Sequence, residues 1–219
     1  MDMYLGEMAL LVVSVPILIG MVKGITARLR INDYIASVAI FLIVLLNVRG
    51  GIRIGERFSL SLGGLISLPL CTFIMIKRSE KASDVFYAML SMLGVAGITF
   101  LYSLHFLEVT SLDPRLIAFL LSLVVGLWCA FSARRTFSSC LFSAVVGSFV
   151  GITPYLIFIR KNGNIGGSYT FAVMWMGALL GMIIQYLLTY MMRAIKSPRA
   201  DSYFEAGEMK EETEEGKKE

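Results

Sequence analysis

Residues 52–76 read IRIGERFSLSLGGLISLPLCTFIMI, and the change of period inside this stretch decides the architecture. Ile52, Ile54, Phe58, Leu60 and Leu62 alternate with Arg53, Gly55, Arg57, Ser59 and Ser61, a period of two that signals extended chain, and Arg49-Gly50-Gly51 supplies a turn before it. From Gly63 the alternation gives way to an apolar run that reaches Ile76 and contains Pro69. An open strand cannot face lipid, because its backbone groups would be unpaired there. The stretch therefore predicts a short extended or hairpin element, at the membrane surface or packed within helices, leading into a helix that starts near Gly63. A span entered through an irregular loop satisfies the same pattern.

A second pair, Gly166-Gly167 in NGNIGGSYTF, opens the last apolar run as Gly63-Gly64 opens the third. Glycine lets backbone approach backbone, and a helix start presents free N–H groups with partial positive charge. Such ends face anionic substrates in transporters. Arg57, Gly63, Gly64, Gly166 and Gly167 are accordingly the candidate ligand-binding residues, for a small anion or a lipid headgroup. The competing reading gives these glycines no ligand and makes them turns and close-packing points.

Composition sets the class. With 57% hydrophobic residues, 16% charged and a mean hydropathy of +0.74 over 219 residues, the chain is too apolar for a water-soluble domain. Apolar runs cover Leu5 to Val22, Tyr34 to Val48, Phe58 to Ile76, Val85 to Leu107, Leu116 to Ser132, Thr136 to Ile159 and Ser168 to Met192. Crossing the hydrocarbon takes about 20 helical residues. The expected fold is all-α, a polytopic transmembrane bundle of six or seven spans over residues 1–192, with the lipid bilayer as its principal partner.

The first run lacks a basic leader and a convincing cleavage site, and is expected to be retained as a span. The third run, residues 58–76, either spans or re-enters. In both cases positive charge puts 14 Lys/Arg on the inner side and 6 on the outer, so the C-terminus is expected in the cytoplasm of a cell-membrane protein. Residues 193–219, with Pro198 and dense charge, read as a disordered cytoplasmic tail.

Small residues mark helix contacts. Ser139, Ser143, Gly147 and Gly151 recur every four positions on the sixth run, and Gly177 and Gly181 on the seventh, predicting that these two helices pack closely. Pro154 is expected to kink the sixth helix. Such faces also suit docking onto another membrane protein, which makes a structural or assembly subunit the alternative function.

Catalytic constellations are missing. Asp2, Asp33, Asp84, Asp113 and Asp201 fall in loops or termini, so no aspartyl dyad is placed at depth, and a single His excludes HExxH. Cys71, Cys129 and Cys140 lie in apolar runs without metal spacing. No catalytic residue, metal or cofactor is assigned, and the scattered Lys and Arg do not form a nucleic-acid surface. Glu7, His105, Asn47 and Gln185 are the main polar side chains within the runs, and Glu7 reads as an interfacial anchor.

The glycine segments carry a resemblance. Leu60-Ser61-Leu62-Gly63-Gly64-Leu65-Ile66-Ser67-Leu68-Pro69 is similar to the INxGGAxIP segment, and Ile165-Gly166-Gly167-Ser168-Tyr169-Thr170-Phe171-Ala172 to the IGGAGTFDGIF segment, of a family of uncharacterised prokaryotic multi-pass membrane proteins. That family's GxxxGAD pattern falls on Gly147 to Thr153. Both family aspartates are replaced, by Thr153 and Ala172. The resemblance implies a shared architecture, and any chemistry resting on those acids is expected to be lost.

Overall fold

The computed structural model describes residues 7, 8, 10–12, 33–48, 51–54, 56–79, 81–109, 113–132 and 136–215, as backbone alone at 33, 106–109 and 193–215. Helical residues 7, 8 and 10–12 are followed by α1 (Asp33–Val48), β1 (Gly51–Ile54), β2 (Phe58–Ser61) and α2 (Leu62–Arg78). After these come α3 (Ala82–Val109), α4 (Pro114–Ser132) and α5 (Phe137–Pro154), then a π-helical segment (Tyr155–Arg160), β3 (Gly163–Ile165) and α6 (Ser168–Glu215). Among the described residues four stretches are long and apolar enough to cross a membrane, Ala82–His105, Pro114–Ser132, Phe137–Arg160 and Ser168–Met192, while most of the expected first span, Leu5 to Val22, lies outside the described residues. Tyr34–Val48 is a shorter apolar helix.

These helices keep much of their apolar surface outward. In α3, 28% of the most apolar 18-residue window is buried, and Phe86, Leu93 and Leu101 point away from the protein. Contiguous apolar exposure on this scale would drive aggregation in water and is satisfied by lipid. The chain is a membrane protein built mainly of packed helices.

Residues 1–184 form one compact unit and 185–219 another. In the second, helical backbone continues to Glu215. Ala, Glu, Met and Lys of EAGEMKEE have high helix propensity, a contribution that reading the segment by charge alone leaves out.

Within the first unit α3 packs extensively against α5. The Ser143 hydroxyl donates to the Ala88 carbonyl at 3.1 Å, and a Cβ on Gly147 would stand 2.7 Å from the Met92 carbonyl oxygen. Gly151 is held as tightly against Ala96 and Thr99. Thus Ser143, Gly147 and Gly151 of the α5 stripe seat on α3. Gly177 and Gly181 of α6 pack instead on α4, meeting Val125, Ser122 and Gly126, and Gly181 also touches Cys140 of α5. Spacing shows that a face is small but does not reveal which partner fills it.

Pro154 acts at the end of α5. Its nitrogen cannot donate, and the helix widens immediately afterwards into the π segment before Lys161 ends it in the left-handed region at φ 56°. That change of winding delivers the chain to β3.

The period-two stretch forms a hairpin, with turn residues 56 and 57 before β2 and β1 antiparallel to β2 through Arg53↔Ser59. The third strand is not evident from pattern. β3 lies parallel to β2, pairing Phe58↔Gly163, Ser59↔Asn164 and Leu60↔Ile165, so the sheet order is β1-β2-β3. Both β2 and β3 pass directly into helices at the same end of the sheet, which sets the starts of α2 and α6 side by side.

Candidate functional site

Parallel pairing of β2 and β3 brings the two Gly-Gly pairs into contact. A Cβ on Gly64 would lie 2.5 Å from the Gly166 carbonyl oxygen and 2.8 Å from its Cα. Gly166 has φ +72°, which L side chains rarely adopt, so glycine is required there twice over. Gly63 serves α1: a Cβ there would come within 2.6 Å of Asn47 Cβ and 2.7 Å of the Ile43 carbonyl. Gly167 is covered by the Asn164 side chain. All four glycines are enclosed by protein atoms.

The space cleared by Gly63 admits a polar relay. Ser61 is the N-cap of α2, and its hydroxyl accepts from the Gly64 amide at 3.5 Å. The same hydroxyl donates to Asn47 Oδ1, and Asn47 Nδ2 donates to Glu7 Oε1. Ser61, Asn47 and Glu7 are 1%, 8% and 2% exposed. Glu7 is therefore buried, not an anchor reaching the interface. The reason is tertiary: Asn47, forty residues away, draws the carboxyl to the start of α2.

A second tie lies one turn deeper. Trp175 Nε1 of α6 donates to Ser67 Oγ at 3.2 Å, while Ser67 donates to the Gly63 carbonyl at 2.7 Å. The helix starts are thereby joined by backbone contact and by a side-chain bridge. Burying such groups without partners would cost about 1–3 kcal/mol each.

Arg57 occupies the other end of the sheet. It is exposed in the hairpin turn, and its carbonyl accepts from the Gly163 amide at 3.1 Å. Ser61 is four strand residues further on, about 13 Å away at 3.3 Å per residue. The structure thus unites Gly63, Gly64, Gly166 and Gly167 but leaves Arg57 on the opposite rim. There it has company: Arg160 and Lys161 precede β3, Arg53 lies on β1, and all are exposed, with Glu56 among them. This gathering of cations depends on the β2–β3 pairing.

His105 is exposed near the end of α3 and does not join either cluster. Cys71, Cys129 and Cys140 are free and buried. Among the described residues no group of three His, Cys, Asp or Glu is placed to hold a metal. Two features escaped the spacing analysis. Gly126 sits against Gly177 and Gly181, and Ser122, Gly126 and Ala130 at intervals of four were the available signal. The Glu7–Asn47–Ser61 relay joins three segments and has no local signature. No family model, curated protein or solved structure matches the chain.

Proposed function

We propose that the chain is a non-enzymatic multi-pass protein of the cell membrane, permease-like or lipid-binding, which takes an anionic group at the rim formed by Arg53, Arg57, Arg160 and Lys161. The group is a lipid headgroup or a small anion. In this reading the C-terminus is cytoplasmic, as the loop charge favours, and the rim faces outward.

The observation that carries the proposal is the pairing of Phe58 with Gly163, which sets the hairpin turn beside the Arg160-Lys161 pair. Arginine forks match phosphate oxygens bidentately, and neighbouring cations of one sign raise the local concentration of anions. Exposed Ile52 and Ile54 flank Arg53 on β1, an apolar and basic combination suited to the headgroup level. The glycine helix starts contribute by fixing the sheet to the bundle; with their space already filled, they shape the site rather than touch its ligand.

The alternative is a structural or assembly subunit that binds another membrane protein through small-residue faces. Its support is weakened because the stripes on α5 and α6 are used inside the chain. Gly97 of α3 is the described helical glycine with open space around it.

The deciding experiment is native mass spectrometry of the full chain from nanodiscs mixing phosphatidylglycerol and phosphatidylcholine, with a parallel titration by inorganic phosphate. Preferential retention of phosphatidylglycerol, lost when all four rim cations become Gln, supports a headgroup site. Phosphate binding without lipid preference supports a small anion. Equal retention of both lipids and no phosphate binding contradicts the proposal.

A further inference from the structure

The four rim cations come from three segments that the sheet ties together. The Gly163 amide donates to the Arg57 carbonyl at 3.1 Å, so the turn carrying Arg57 and the chain leaving Arg160-Lys161 touch backbone to backbone. Lys161 ends the π segment in the left-handed region, at φ 56°, and two residues later the chain enters β3. Arg53 stands on the other side, on β1, opposite Ser59 of β2. Neighbouring strands are about 4.8 Å apart, so the order β1-β2-β3 spreads the cations over a front about 10 Å wide.

We infer that this front takes a lipid with two phosphodiesters joined by a glycerol bridge, of the cardiolipin type, one phosphate on the Arg53 side, the other at Arg160-Lys161, and Arg57 between them. The inference rests on anion binding at the rim. Charge favours two phosphates: Glu56 is the acid described among the four cations, and a single phosphodiester, with one negative charge, would leave most of the front unneutralised. Width favours a bridged pair over a compact anion, which would meet one side of the front at a time.

Apolar surface adjoins the cations at both ends. Ile52 and Ile54 flank Arg53 on β1, while Phe158, 73% exposed, and Ile157 lie on the π turn that leads to Arg160. Acyl chains attached to two bridged phosphates would have apolar side chains to lie against at each end, whereas a free anion would leave them unused. Linkage supplies the selectivity. Once one phosphate is held, the second is presented at high effective concentration, which raises retention by about 10²–10⁴-fold over an unlinked phosphate making the same contacts.

The test uses the full chain in phosphatidylcholine nanodiscs holding cardiolipin and phosphatidylglycerol at equal phosphate, read by native mass spectrometry, with inorganic phosphate and pyrophosphate titrated in parallel. Cardiolipin is expected to be retained over phosphatidylglycerol by about 10²-fold. The pair Arg53→Gln/Arg57→Gln and the pair Arg160→Gln/Lys161→Gln should each reduce it to the phosphatidylglycerol level, and Lys77→Gln/Lys81→Gln, on exposed cations away from the rim, should not. All the altered side chains are exposed, and unchanged unfolding midpoints check that the variants fold. Equal retention of the two lipids per phosphate, lost when all four cations become Gln, overturns the inference and leaves a headgroup site at the rim. Binding of phosphate or pyrophosphate without preference for cardiolipin overturns it in favour of a free anion, and a cardiolipin preference that survives both paired variants also overturns it. Equal retention of all three lipids with no binding of either anion removes the rim as an anion site, and the inference with it.

Discussion

Gly64 and Gly166 meet backbone to backbone, 102 positions apart, so that the missing side chain of one is the space occupied by the carbonyl of the other. This contact explains why two Gly-Gly pairs stand at corresponding places in the chain. Each starts a helix, and the two starts are adjacent because their preceding strands are paired in parallel.

Alanine at Gly64 is therefore expected to destabilise the protein by about 1–3 kcal/mol, the usual cost of forcing extra atoms into a packed interior. Its obstacle is backbone, which cannot swing aside as a side chain can. Gly97→Ala, with open space, should leave the midpoint of thermal unfolding in detergent unchanged or slightly raised. Equal loss in both variants would speak against the contact.

Asn47→Leu should be more harmful than its conservative volume suggests. It strips the donor from Glu7 and the acceptor from Ser61 together, leaving two buried polar groups unpaired at about 1–3 kcal/mol each. A cycle combining Asn47→Leu with Glu7→Leu should recover part of the loss, because the carboxyl then needs no donor. Strict additivity of the two changes, read from unfolding midpoints, would deny the relay.

Gly147→Val should part α3 from α5. Its new methyl groups would meet the Met92 carbonyl and Val95, and the expected result is lower yield and a lower unfolding temperature. Val at Gly97, on the open side of α3, is the matched control.

The helices were largely legible in the sequence because lipid imposes a simple rule on length and polarity, and α3 to α6 obey it. The hairpin was legible too, since Ile52, Ile54, Phe58 and Leu60 keep their alternation without help from the rest of the chain. β3 was not, because three residues, Gly163 to Ile165, carry no usable period and become a strand by pairing with β2. Burial of Glu7 was equally hidden. A carboxyl about one turn into an apolar run ordinarily reaches for water, and it turns inward here because Asn47 waits at the end of α1 and Gly63 has cleared the room. The partners of the small-residue stripes also had to come from tertiary structure, as many helix pairs can satisfy one spacing.

Salt should separate the two polar clusters. Anion binding at the exposed rim is expected to weaken as ionic strength rises from 0.05 to 0.5 M in choline chloride, a range over which the screening length falls from about 14 Å to about 4 Å. Unfolding midpoints of Asn47→Leu relative to the unmodified protein should stay constant over that range, because the relay is shielded from solvent.

The parallel pairing of β2 with β3 underlies every step from sequence to site, and cysteine cross-linking in native membranes tests it directly. Opposed residues on neighbouring strands are about 4.8 Å apart, within reach of a disulfide. With Cys71, Cys129 and Cys140 replaced by Ala, the Ser59→Cys/Asn164→Cys protein should cross-link on mild oxidation, as should the hairpin control Arg53→Cys/Ser59→Cys. Efficient cross-linking of the control with none between positions 59 and 164 would contradict the joined helix starts.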